Sequence, residues 1–476
     1  MTAPSDERRQ PPAFYYLLAA QVWDRFAYYA ILSVLVLYLV QTHDIGQAAA
    51  YLMLGTFSSF AALTSVGGGI AADRIFGFGL PLVTGCLLMI AGSFLLCWQD
   101  SIGLDWGLGI LVVGSGLFHA NVAALLGRFY GDGDVRRQPA FTYFYMATNI
   151  GGMLGALAMG LIVTRWGYSA GFALAGVAKV LTLVVYLLGL RHLKGHQRPP
   201  PHAVEGRKWR LPGLLAIAGA IVACSLLIGR PTIAGWILLV CCIAAIAGYG
   251  WMMLREPADV RRRLMAHLVV VAAAVAFWAI YQQFAASVLV FTADDVQRRL
   301  LHWLVPASVF NSLNPAFVLL LTPVFILLWR RLAARGREPH DFTKLAGGIV
   351  LAGLAFWLLS FGIISDNGQV TTAVGWVIGF QFILALGEML VGPVGLNLTT
   401  ALAPRHLAGF AMGIWYLSTA AAYYLAGPLA DIVATGKHPK AGVFEAGFNI
   451  YGAIGVGSGI LVFILAPVLR RYVRAR

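Results

Sequence analysis

Gly67-Gly68-Gly69-Ile70-Ala71-Ala72-Asp73-Arg74-Ile75-Phe76-Gly77 closes one apolar run, Ala48–Ala71, and turns the chain into the next, Phe78–Trp98. Each run is long enough to cross a hydrocarbon layer of about 30 Å, and the few residues between them carry one acid and one base. The pattern repeats outward to both ends. Ala13–Val40 lies before it; Leu108–Tyr130, Ala140–Val163 and Ala170–Leu190 follow, making six runs. A basic, Pro-rich linker, Arg191–Arg210, leads into two shorter runs, Leu211–Gly229 and Thr232–Leu254. Six more complete the chain: Leu264–Thr292, Val305–Trp329, Leu345–Ile364, Thr371–Leu402, Ala408–Thr435 and Phe444–Val473. The expectation is an all-α membrane protein with fourteen spans: a six-helix bundle over 1–190, a linker with two inserted helices over 191–256, and a second six-helix bundle over 257–476.

Composition agrees. Of the 476 residues 59% are hydrophobic and 11% charged, where soluble domains carry about 25% charge, so no soluble catalytic domain is hidden in the chain. The five cysteines all fall inside apolar runs without metal-ligand spacing and read as small buried hydrophobes. The first dozen residues mix acids and bases, unlike a cleaved signal, which makes the first apolar run a retained helix. The net charge of +14 invites a nucleic-acid reading, but its placement argues otherwise. Of the 34 Lys and Arg, 26 fall on the side carrying both termini and six on the other, with Arg25 and Lys179 inside helices. Such asymmetry marks cytoplasmic loops facing lipid headgroups, so both termini are expected in the cytoplasm of an inner-membrane protein, with the bilayer and no nucleic acid as partner.

An ionisable side chain at bilayer depth costs roughly 2.5–3.5 kcal/mol on insertion scales, so each one needs a reason. Asp24 and Arg25 lie mid-helix, and Gln21, Asp24, Arg25 and Tyr28 share one face at helical spacing. His119 sits in Gly114-Ser115-Gly116-Leu117-Phe118-His119-Ala120-Asn121, where the glycines permit close helix approach and Asn121 offers an amide nearby. Glu388 sits just before a weak point, Gly392-Pro393. Lys179 has no polar neighbour on its own face; it either pairs with an acid on another helix, snorkels, or serves as a buried amine. Asp431, near a helix end, reads as interfacial. Tyr28, Tyr29, Asn149, Tyr281, Gln282, Gln283, Asn311, Asn314, Asn397, Trp415 and Tyr416 add polar and aromatic lining to a wet chamber. No metal-ligand cluster or nucleophile motif is present: the H-x-x-x-H spacing at His192 and His196 lies in the basic linker and lacks the Glu a zinc hydrolase needs, which argues against an enzyme.

The Gly67–Gly77 segment resembles the signature of the major facilitator superfamily. Asp24-Arg25-Phe26-Ala27-Tyr28-Tyr29, Phe141 to Gly151, Phe277-Trp278 to Gln283, Ser312-Leu313-Asn314-Pro315, Gly387-Glu388 to Leu396 and Met412-Gly413-Ile414-Trp415 are similar to elements of its proton-dependent oligopeptide transporter branch. The inserted helix pair is similar to the bacterial members of that branch. The resemblance implies a major facilitator fold, no cofactor, protons as coupling ion, and a monomer that moves a peptide-like solute by alternating access between its two bundles. It assigns proton coupling to Asp24, His119 and Glu388, solute binding to Arg25, Tyr28, Tyr29, Asn149, Tyr281, Gln282, Asn314, Glu388 and Trp415, and gating to Asp73 and Arg74. The departures fall on charges: Gln21, Leu32, His119 and Gln282 stand where the branch places Glu, Arg, Lys and Glu. Loss of an Arg and a Glu together leaves no orphan charge. The expected function is proton-coupled uptake of small peptides or other zwitterions; the alternative is a facilitator or exporter of modified peptides, siderophore-like or drug-like compounds without tight coupling.

Overall fold

The computed structural model describes residues 9–131, 134, 136–193, 195–197, 207–300, 302–366, 369–404, 407–433 and 442–472. The centre of the basic linker and both extreme termini therefore lie outside the described residues. Contacts divide the chain into two compact units: 1–34 with 60–230, and 35–59 with 231–476. The border at 230/231 runs between the two inserted helices.

In the first unit α1 (Pro12–Thr42) begins and α2 (Gln47–Ala71) ends; both have their remaining turns in the second. After α2 the signature segment winds into a five-residue π-turn, Ala72–Phe76, before α3 (Gly79–Leu95). Next come α4 (Ser101–Gly127), α5 (Arg137–Leu193) and α6 (Arg207–Ile228). Hydropathy placed the start of α4 at Leu108; the helix begins seven residues earlier because the Asp100 carboxylate caps it, accepting from the Gly103 amide. The two runs expected at 140–163 and 170–190 form one 57-residue helical segment that bends at Gly167, whose φ of 80° suits a residue without a Cβ. Close backbone contact sets the α2–α4 crossing: a Cβ on Gly68 would lie 2.3 Å from the Gly116 carbonyl oxygen. Asn121 donates to that same turn, Nδ2 to the Gly68 carbonyl at 3.0 Å, so its amide serves the helix crossing rather than His119.

The second unit holds α7 (Pro231–Leu254), α8 (Ala258–Tyr281), the short α9 (Ser287–Asp294), α10 (Leu313–Ala334), α11 (Asp341–Phe361), α12 (Val374–Leu402), α13 (Ala408–Asp431) and α14 (Val443–Leu469). The run expected as one helix at 264–292 breaks at Gln282–Ala285, a 3₁₀ turn between α8 and α9, and a second 3₁₀ turn, Ala307–Ser312, precedes α10. Interrupted helices of this kind leave backbone groups and polar side chains available within the membrane. Small strands link the loops: β1 (Val296–Gln297) pairs in parallel with β5 (Gln369–Ala373), β4 (Ile363–Asp366) runs antiparallel to β5, and β2 (Arg299–Leu300) pairs with β3 (Trp303–Leu304). Thr371, expected in a helix, is in β5. Among the described residues, twelve helical segments are long and apolar enough to cross a membrane, α5 counted once.

Each inserted helix packs on its own unit. Ser225 of α6 fits against Gly109 of α4. Tyr249 of α7 reaches the buried His267 of α8, Oη to Nδ1 at 2.7 Å, and stacks on Phe410 of α13. Their other faces expose large apolar side chains, among them Leu215, Leu226, Trp236, Val240 and Ile243, as helices bathed in lipid do.

Candidate functional site

In the first unit the polar stripe of α1 faces two helices that bring basic groups to it. Glycine makes this possible: a Cβ at Gly151 of α5 would lie 2.3 Å from the Val22 carbonyl oxygen and 2.9 Å from Arg25 Cβ, so only Gly lets α5 lie against the stripe. Asp24 is fully buried. From the far arm of α5, Lys179 places Nζ 2.6 Å from Asp24 Oδ1 and donates to the Asp24 carbonyl at 3.0 Å. From α4, His119 brings Nε2 to 2.9 Å from Oδ2, close enough for charge pairing though not aligned as a hydrogen bond. Arg25 stands back, Nε 3.6 Å from Oδ2, with its guanidinium carbon 5.8 Å from the centre of the Tyr28 ring. That ring meets His119 edge-on at 5.6 Å.

Lys179 thus pairs with an acid on another helix, and Asp24 pairs with more than its neighbour in sequence. One carboxylate faces two permanent cations and an imidazole. Exposure separates them: Asp24 and Lys179 side chains are 0% and 1% accessible, His119 12% and Arg25 18%, so the wet side of the cluster presents Arg25 and His119.

The remaining first-unit candidates hold the frame. Gln21 donates to Thr148 Oγ1 at 2.9 Å, and Asn149 turns back on its own helix, donating to the Tyr145 carbonyl at 3.0 Å. Tyr29 packs edge-on against Tyr28. Leu32, at the position of the absent Arg, is buried. Asp73 lies 3.8 Å from Arg128, whose guanidinium covers the Phe78 ring; Arg74 is exposed.

In the second unit the Tyr281 hydroxyl, at the end of α8, donates to Glu388 Oε2 at 2.8 Å and lies 3.1 Å from Asn314 Oδ1. Three expected residues from α8, α10 and α12 are therefore brought together. Gln282 enters the 3₁₀ turn and donates to Ser58 Oγ at 3.3 Å, a neutral contact at the position where the oligopeptide-transporter branch places a Glu. Gln283 holds the Ala426 carbonyl at 2.8 Å. Trp415 is buried over Gly395, where a Cβ would meet its ring at 2.1 Å. Asn397, expected in the chamber, instead donates to Asp341 Oδ2 at 2.5 Å, at the end of α12. There Lys344 pairs with Glu338 at 2.5 Å and Asp341 at 3.5 Å and lies over the Trp329 ring, a charged cluster that hydropathy assigned to a loop. Thr148 and Ser58, which hold Gln21 and Gln282, were not anticipated, since neither hydroxyl stands out in an apolar run. Among the described residues, no three His, Cys, Asp or Glu are grouped to hold a metal ion.

Known proteins resemble this chain over nearly its full length. The POT family profile matches residues 82–446. The dipeptide and tripeptide permease A of Erwinia pyrifoliae is 30% identical over 97% of this chain and 95% of its own, and that of Chromobacterium violaceum 31% identical over 97% and 94%. Among solved structures, a mutant of the peptide transporter POT in complex with alafosfalin superposes with a TM-score of 0.88 at 27% identity, covering 98% of both chains. A POT family transporter in complex with 5-aminolevulinic acid gives 0.85 at 25% identity, covering 97% of both. With a matched profile over most of its length, full-length relatives and the same helical architecture, the chain belongs to the POT family of membrane transporters.

Proposed function

We propose that this protein takes up small peptides or peptide-like zwitterions by secondary active transport, driven by protons. The observation that carries the reading is the charge imbalance around Asp24: two permanent cations surround one carboxylate, and the more exposed of them, Arg25, is also the more distant, at 3.6 Å. A surplus cation beside water suits the anionic group of a solute, and Glu388, held by Tyr281, suits an amine. The names of the relatives and the ligands of the solved neighbours agree with such a solute.

In the proposed cycle His119 takes up a proton and its imidazolium satisfies Asp24 Oδ2, releasing Arg25 to the solute's carboxylate while Glu388 receives the amine. Proton loss on the cytoplasmic side returns Arg25 to Asp24 and frees the solute. Tyr28, Tyr29, Asn149, Gln282, Asn314 and Trp415 supply polar and aromatic walls, and Asp73 and Arg74 act in gating at the inner face. Counting the two arms of α5 separately and adding α13 gives the fourteen spans of this reading, grouped as six, two and six, in an inner-membrane monomer with both termini cytoplasmic.

The test uses purified protein in liposomes. An inward proton gradient should drive accumulation of labelled dialanine, and His119→Gln or Asp24→Asn should each abolish accumulation while leaving gradient-free exchange measurable. Wild-type transport that ignores the gradient, or both variants remaining fully coupled, would remove protons from the mechanism and favour a facilitator.

A further inference from the structure

The buried lysine has no part in the cycle just described. Lys179 is 1% accessible, so neither water nor a solute reaches it, yet its Nζ makes the shortest approach in the cluster, 2.6 Å to Asp24 Oδ1, and also donates to the Asp24 carbonyl oxygen at 3.0 Å. Two contacts to one residue, one of them to backbone, fix the ammonium on α1 and leave the carboxylate a single remaining oxygen. That oxygen, Oδ2, is the one approached by His119 at 2.9 Å and by Arg25 at 3.6 Å. Among the described residues, the other ionisable groups around the cluster include Tyr28 and Tyr29 on α1, Cys86 on α3 and Tyr186 on α5, none of them a cation. Each of these two buried charges compensates the other, so removing either leaves its partner unpaired away from water.

The geometry points to Lys179 as a positioning residue that locks Asp24 as a carboxylate, so that the cluster exchanges one proton and exchanges it at His119. With Oδ1 occupied by Lys179, Asp24 offers Oδ2 either to an imidazolium or to Arg25. The switch between them is then one protonation event, with Asp24 the fixed anion on which it turns. This deepens the proton-driven reading above and rests on it for its role in transport.

The decisive variants are Lys179→Met and Lys179→Arg. Removing the buried cation raises the proton affinity of whatever remains around Asp24, so gradient-driven dialanine uptake by Lys179→Met should reach half-maximum at a pH at least one unit higher than in wild type. Exchange without a gradient should follow the same shifted pH profile, since without Lys179 only a protonated His119 leaves Arg25 surplus to Asp24; Lys179→Arg, which keeps the charge, should restore the wild-type pH profile. The imidazole of His119, identified in detergent by the NMR difference from His119→Gln, should titrate at correspondingly higher pH in Lys179→Met. This readout needs no solute, so it tests the lock even if the protein carries no peptide. If Lys179→Met does not fold, Asp24→Asn/Lys179→Met, which removes both charges together, should recover a monodisperse protein. An unchanged titration and uptake profile in Lys179→Met, a shift that Lys179→Arg fails to reverse, or a double variant that stays unfolded would each overturn the assignment.

Discussion

Replacing Glu388 by Gln keeps the size of the side chain and leaves an amide oxygen to accept from the Tyr281 hydroxyl, now 2.8 Å from Oε2, so the substitution removes a charge and little else. Glu388 is half-buried. At an effective dielectric near 20, a carboxylate and an ammonium about 4 Å apart attract by roughly 4 kcal/mol. Desolvation of the ammonium takes back part of this, and hydrogen bonds to charged groups net about 1.5–3 kcal/mol. A dipeptide should therefore bind Glu388→Gln about 10- to 150-fold more weakly than wild type. The same dipeptide with its amino group acetylated has no charge to lose, and its affinity should change by less than about threefold. Inhibition of labelled dialanine exchange in liposomes measures both ligands under one condition. Equal losses for the two would mean that the substitution disturbed α12 rather than an ion pair. No loss for either would place the amine elsewhere and leave Glu388 as the hydrogen-bond partner of Tyr281 alone.

Gly68→Ala should lower stability by about 1–3 kcal/mol, since its Cβ would sit 2.3 Å from the Gly116 carbonyl oxygen, whereas Gly67→Ala, with nothing within 4 Å, should melt within error of wild type; equal melting temperatures for the pair would refute the close crossing of α2 and α4. His340 caps α11, its Nδ1 accepting from the Phe342 amide at 3.3 Å, and its proton affinity is lowered by burial first, with Arg470 and Lys344 adding to the effect and Asp341 opposing it. The unfolded chain thus binds the proton more readily, so this contribution is complete above a pH of about 6.5 and is lost as pH falls below it. Melting between pH 7.5 and 5.5 should therefore drop further for wild type than for His340→Asn, which caps without titrating; parallel slopes would exclude the histidine. A reporter placed after Arg476 and one inserted in the Arg191–Arg210 linker should both face the cytoplasm, and opposite locations would break the fourteen-span reading.

Hydropathy located the helices well because crossing the bilayer demands length and apolarity, and both are local properties. It could not see where a run changes hydrogen-bonding pattern. No Gly or Pro marks the break at Gln282–Ala285, and the contacts made there, Gln282 to Ser58 and Gln283 to Ala426, are with partners far away in sequence. Thr371 read as helix by continuity, yet pairs across to Ile364 in a strand. The candidate site divides in the same way. Asp24, Arg25, His119, Lys179 and Glu388 were legible one by one, since the cost of a charge in an apolar run singles each out. Their partners were legible in part: His119 was expected at Asp24 and is found there, whereas which acid Lys179 meets was not, because burial in a membrane rewards pairing without regard to sequence distance. Lys179 makes the point: it looked least explicable because its own helix face offers nothing polar, and it makes the shortest contact in the cluster with a residue 155 positions away. An ionisable group without local company must find its partner on another helix or snorkel to the surface, and a 1% accessible ammonium has plainly not snorkelled. The absence of polar neighbours around a buried lysine is therefore itself evidence for a tertiary ion pair.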